Sequence, residues 1–195
     1  MDALNLLIGI NLFVSMSANM SAAKKALKST FTKVKERPKS YLQKVPPNVS
    51  ALILVFIILG IFKIGVLSEE MVGNLMYLRY IGMLVFVVFS WVQVVSYKSL
   101  GNSYSHEIVV FREHQLIRKG MYKTIRHPQY VSQILSDFGA GIALMSYCVI
   151  PLVVLVEIPL FILRASFEER LLQSHFSEDY TDYKKKSGFF LPFIG

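Results

Sequence analysis

Residues 129–163 read QYVSQILSDFGAGIALMSYCVIPLVVLVEIPLFIL, a run with only two charged residues, Asp137 and Glu157. A bilayer core is about 30 Å thick and takes about 20 apolar residues per helix. The run is therefore too long for one crossing and long enough for two packed antiparallel ones, with Pro151 where a tight turn between them fits. Outward from it, three more windows qualify: 3–20, 49–67 and 75–97. The first has Met1-Asp2 before it and lysines only after it, so it reads as an anchor helix rather than a cleaved signal. Lys63 sits near one end of the second, where it can snorkel. Arg79 starts the third, and Trp91 and Tyr97 mark its far end as interfacial anchors. The expected fold is all-α and integral to the membrane, with about five transmembrane helices.

Composition agrees. Of 195 residues 53% are hydrophobic and 17% charged, against roughly 25% charged in an ordinary soluble chain, and mean hydropathy is +0.47. A single cysteine, Cys148, excludes an internal disulfide framework and any multi-cysteine metal site, and it reads as a small apolar filler. The net charge of +8 is concentrated in two places. Residues 24–48 hold eight basic side chains against Glu36 alone, and residues 98–126 hold six against Glu107 and Glu113. The positive-inside rule puts both on the cytoplasmic side, with the N-terminus outside and the C-terminus inside. Anionic lipid headgroups explain the basic loop better than nucleic acid does. The membrane would be the plasma membrane in a prokaryote and the endoplasmic reticulum in a eukaryote. The chain thus divides into 1–97, three helices with the basic loop 24–48, and 98–195, a polar loop, the hairpin 129–163 and a C-terminal cytoplasmic helix. Both polar segments, 98–128 and 164–195, fall on the same side and can meet there.

Glycine-rich nucleotide loops, zinc-helix histidine spacing and a serine nucleophile elbow are all absent from the sequence. The conspicuous motif is Arg126-His127-Pro128-Gln129-Tyr130 at the mouth of the fourth crossing. Proline suits a first helical turn, so His127 falls near the N-cap, where free N–H groups and Arg126 would hold an anion such as a carboxylate. The plainer alternative is a basic interfacial anchor. Where the fifth crossing ends, Arg164 and Glu168 share a helix face and can pair; Glu169, Leu171 and Leu172 then read as an amphipathic helix along the interface. Asp137 and Glu157 are intramembrane acids, functional candidates by default, with Lys63 or Arg79 as their structural partners in the alternative.

These residues resemble a known family. Arg126 to Tyr130, followed by Arg164 and Glu168-Glu169, is similar to the C-terminal signature of the isoprenylcysteine carboxyl methyltransferases and related phospholipid methyltransferases. The likeness extends through Gly101 to His106, Leu116 to Tyr122, Phe176, Tyr180, Tyr183 and Leu191 to Ile194. Many members have glycine where this chain has Ser132. The resemblance implies a membrane enzyme that uses S-adenosylmethionine without a Rossmann domain. It implies a cytoplasmic cofactor pocket built from the 98–128 loop and the C-terminal helix. His106, Leu116, Gly120, Tyr122, His127, Tyr130 and Glu169 would line that pocket, and Arg126, Arg164 and Glu168 would act on the acceptor, a lipophilic carboxylate such as a prenylated cysteine entering from the bilayer. No metal is implied. Methylation of a phospholipid amine, which needs a general base, methylation of a small hydrophobic alcohol or thiol, and a non-catalytic lipid-binding scaffold are the competing readings.

Overall fold

The computed structural model describes the backbone of residues 2–100, 105, 107–111 and 115–195, with the side chains of these except 21–33, 69, 74 and 111. The long helices are α1 (Ala3–Lys33), α2 (Val45–Ile61), α3 (Met76–Leu100), α4 (Pro128–Ala143) and α5 (Val149–Phe176), followed by the short α6 (Glu178–Lys186). Among the described residues, four helices are long and apolar enough to cross a membrane: Ala3–Met20, Tyr41–Ile61, Met76–Leu100 and Val149–Phe176. The helix expected as the fourth crossing, α4, has 16 residues and more than half of them buried. It is shorter than the roughly 20 residues of a full crossing.

Ile8, Ile53, Ile57, Phe86, Ile134, Ala140, Val149 and Val153 form the core between the helices, while Phe13, Leu84 and Leu155 point outward, as lipid-facing side chains do. The closest helix contact is α3 on α4. A Cβ on Gly82 would lie 2.8 Å from the Gly139 carbonyl oxygen, and one on Gly139 would lie 2.6 Å from the Phe86 nitrogen. Small residues let backbones touch where apolar burial gives helices no reason to associate in lipid. Gly82→Leu is expected to lower the melting temperature of the detergent-solubilised protein, with a loss of about 1 to 3 kcal/mol or more from forced separation; an unchanged melt would contradict the contact.

The hairpin turn falls at Leu144–Cys148, not at Pro151. Met145 takes a left-handed φ of 52°, and the Ser146 hydroxyl accepts from the Val149 N–H (3.2 Å), capping α5. Pro151 then sits in the first turn of α5, where its missing N–H costs nothing. Pro159 is the disruptive one. Residues Val153–Glu157 just before it widen into a π-helical turn, which accommodates a proline ring inside a helix and turns Glu157 inward. Arg79, expected at the interface, is buried instead. It donates to the Ala143 carbonyl (2.9 Å) and Asn5 Oδ1 (2.8 Å) and pairs with Asp2 (3.0 Å), pinning three helices at one end of the bundle.

The opposite end holds the polar segments. Part of the expected basic loop is regular structure: α1 continues to Lys33, and Val34–Glu36 (β1) pairs antiparallel with Val110–Phe111 (β2). The strap 34–43 is further tied by Gln43, which accepts from the Ile108 N–H and donates to the Ile108 carbonyl, both at 2.8 Å, and by an Arg37–Glu107 ion pair at 2.9 Å.

Candidate functional site

His127 is the N-cap of α4 and Pro128 its first residue, as the sequence suggests. Helical spacing puts Tyr130 one turn on, with its ring stacked on the His127 imidazole at 5.5 Å between centroids. The Tyr130 hydroxyl accepts from Arg164 Nε (3.0 Å) and donates to Glu168 Oε2 (2.7 Å). Arg164 and Glu168, expected to pair directly, are thus bridged by a phenol from another helix. Arg164 reaches across to the strap as well, donating to the Leu42 carbonyl at 2.8 Å. Leu42 lies in a single helical turn, and its own N–H donates to the Ser40 hydroxyl that caps the turn.

Arg126 does something different from what its position in sequence suggests. It is 5% exposed. Its Nε donates to Glu169 Oε1 (2.5 Å), and its other nitrogens donate to the carbonyls of Ser187, of Lys184 (3.3 Å) and of Gly195 (3.1 Å). Glu169 also meets His127 Nε2 (3.3 Å) and Lys184 (3.2 Å). Arg126 and Glu169 therefore clamp the C-terminal segment to the start of α4. A guanidinium so occupied has little left for an incoming carboxylate. Glu169, Leu171 and Leu172 do not form a separate interfacial helix; they continue α5, and Glu169 and Leu171 are buried.

Two cavities lie against each other here. The first is lined by Leu116, Tyr122, Arg126, His127, Tyr130 and Glu168, joined by Leu100, Glu107, Val109, Gln115, Ile117, Gln129, Leu172, Tyr180 and Tyr183. The second, about 160 Å³, lies among the helices and is lined by Pro47, Ser50, Tyr97, Gln129, Tyr130, Gln133, Phe161 and Arg164. Gln129 and Tyr130 belong to both, so they form the wall between a polar, aromatic chamber at the bundle end and a more apolar one within it. Gly120 does not line the first chamber. Its φ of +60° begins the turn Gly120–Lys123 that carries Tyr122 inward, a conformation that favours glycine. His106 and Gly101 to Tyr104 lie outside the described residues. Ser132 is fully buried and bonds back to the Gln129 carbonyl (2.9 Å). Burial pushes the Tyr183 phenol up to about 12 and raises Tyr122 and Tyr180 as well, so these three phenols stay neutral at physiological pH. The Tyr183 hydroxyl donates to the Tyr122 carbonyl (2.6 Å), tying α6 to the same wall.

Several lining residues escape sequence reasoning. Leu172 has a usable signal, one turn after Glu168 on the same face. Gln129 and Leu100 have none, since an amide and an aliphatic at helix ends are ordinary.

Four helices of membrane-crossing length, with two abutting chambers and no Rossmann sheet among the described residues, define a multi-pass membrane protein. Residues 78–179, just over half the chain, match the family model described as phospholipid methyltransferase, and the chain belongs to that family. It is 28% identical over 116 residues to the protein-S-isoprenylcysteine O-methyltransferase of Saccharomyces cerevisiae, covering 58% of this chain and 48% of that one. It is 29% identical over 120 residues to the enzyme of the same name from Tribolium castaneum, covering 60% and 43%. The chain thus spans about half the length of these relatives. A solved structure, the eukaryotic intramembrane Ras methyltransferase described as isoprenylcysteine carboxyl methyltransferase, superposes with a TM-score of 0.60 at 26% identity, covering 76% of this chain and 52% of that one.

Proposed function

We propose that this protein transfers a methyl group from S-adenosylmethionine to the carboxylate of a lipophilic acceptor, with the similar relatives pointing to a prenylated cysteine or a related lipid acid. One observation carries the reading: the Tyr130 hydroxyl, held between Arg164 and Glu168, stands on the wall shared by the two chambers. The first chamber suits the cofactor. Leu100, Leu116 and Ile117 offer apolar faces to a base, while Glu168 and the rings of Tyr122, Tyr130 and His127 favour a sulfonium cation. When bound, S-adenosylmethionine supplies the electrophilic methyl group.

The chain's own residues then position and shield. A carboxylate, with a reference pKa of about 4, is already ionised and needs no base. Arg164 orients it from the second chamber, being itself fixed by Tyr130 and the Leu42 carbonyl. Helix packing around that chamber keeps bulk water from the reacting atoms. Arg126, Glu169 and Gly120 act at one remove: the first two lock the C-terminal segment, and the third places Tyr122. The catalytic unit in this reading is 98–195 together with the strap 34–43. The positive-inside rule puts the site at the cytoplasmic face, where the basic positions 24–48 would meet anionic headgroups.

Titration calorimetry with S-adenosylhomocysteine tests the cofactor chamber; no binding by folded protein would leave only a scaffold. Gln43→Ala, which removes both bonds to the cofactor loop, is expected to weaken that binding about five- to tenfold. An unchanged affinity would show that the strap does not shape the chamber. With a carboxylate acceptor, kcat/KM should vary less than about threefold between pH 6 and 9, because acceptor and chamber phenols do not titrate there. A tenfold fall per pH unit on acidification would indicate an ammonium acceptor, with Glu168 as the nearest base.

A further inference from the structure

Among the described residues, the polar side chains lining the second chamber are already hydrogen-bonded within the protein, with one exception. The Ser50 hydroxyl donates to Glu157 (2.8 Å), and Glu157 in turn meets Asp137 rather than Arg79, which is committed to the far end of the bundle. Gln133 accepts from Gln93 and donates to Asp137 Oδ2 (2.6 Å), and the Tyr97 hydroxyl also accepts from Gln93 (3.4 Å). Arg164 donates to Tyr130 and to the Leu42 carbonyl, and the Tyr130 hydroxyl passes its own proton toward Glu168.

The exception is Gln129. Its backbone carbonyl accepts from Ser132, but its side-chain amide has no hydrogen-bond partner among the described residues. A wall that only separated a lipid chain from a second ligand would be served by an aliphatic side chain, since an apolar occupant strands an amide beside it. The amide offers two N–H donors and one accepting oxygen. A carboxylate only accepts, so it takes the N–H end.

We propose that the Gln129 side-chain N–H contacts the acceptor's carboxylate and, with Arg164, makes the second chamber selective for that anion. The proposal rests on the carboxylate reading of the preceding section and adds to it the residue that recognises the headgroup. Gln129 reaches the chamber from the first turn of α4, while Arg164 reaches it from α5. Two elements thus hold the headgroup, and one oxygen can be fixed while the other keeps a lone pair aimed across the wall. The amide does not titrate, so it orients the carboxylate without acting as a base.

Two tritiated probes test the contact by equilibrium binding to the intact chain in detergent: N-acetyl-S-geranylcysteine and its uncharged carboxamide. The measured quantity is the preference for the acid over the carboxamide, which cancels any general change in the chamber. Gln129 is half-buried, and replacing its unpartnered amide breaks no side-chain bond that holds α4. Gln129→Met, similar in length but unable to donate, should lower the preference about five- to tenfold, because a hydrogen bond to a charged group is lost. Gln129→Glu, which places like charge against the probe, should lower it by about thirtyfold or more. A preference unchanged in Gln129→Met overturns the proposal and leaves the carboxylate reading standing. A loss of S-adenosylhomocysteine affinity in that variant, with the preference intact, would put the amide to work in the first chamber and overturn it as well. No preference in the unsubstituted protein also overturns it, and methyl transfer to the acid then decides whether the carboxylate reading falls too.

Discussion

Arg126→Ala is expected to lower the melting temperature by about 10 °C, from a loss of about 3 to 5 kcal/mol. The mechanism is specific. Removing the guanidinium strands Glu169 in a buried site and frees the carbonyls of Lys184, Ser187 and Gly195 at once. His127 and Lys184 remain beside Glu169 but do not replace the fork that binds it to the C-terminal segment. S-adenosylhomocysteine binding should fall along with stability, because Tyr180 and Tyr183 reach the first chamber, the one proposed for the cofactor, from the segment the clamp holds. Thermal unfolding and calorimetry on the same preparation check both effects. Turnover abolished with an unchanged melt would return Arg126 to the acceptor role its place in the motif suggests.

Arg164→Lys should leave the fold intact and cut kcat about a hundredfold, the usual size of losing one preorganised donor. A lysine keeps the charge but cannot hold the Tyr130 hydroxyl and the Leu42 carbonyl with one planar group. Affinity for S-adenosylhomocysteine should change less than about threefold, since Arg164 lines the second chamber and not the first, which is the one proposed for the cofactor. Equal losses in kcat and cofactor affinity would place it in the cofactor site. Tyr130→Phe should move kcat in the same direction by a smaller factor, because it loosens Arg164 without deleting it.

The difference between these two arginines could not be read from the sequence. Each stands at the edge of an apolar window, where a basic interfacial anchor is the ordinary expectation. What separates them is which carbonyls come within reach after folding, and those belong to residues up to 122 positions away. The apolar windows were legible because hydropathy is local. So was the start of α4, because Pro128 and its preceding histidine fix a first turn. The turn at 144–148 was not, since it has a left-handed methionine and a serine cap instead of proline or glycine. Lysine-rich composition likewise hid the strap's three-residue strand, whose pairing with 110–111 is a long-range event. Asp137 and Glu157 were visible as candidates, but their contact with each other depends on the π-turn before Pro159.

Tyr130 and Gln129 face both chambers, and this has a thermodynamic corollary. A ligand that fixes the tyrosine ring from one side leaves less freedom to be lost when a ligand arrives on the other. By reciprocity, each must then tighten the other by an equal factor. Donor and acceptor should therefore assemble cooperatively, and a spent donor analogue should slow the escape of a lipid from the membrane side.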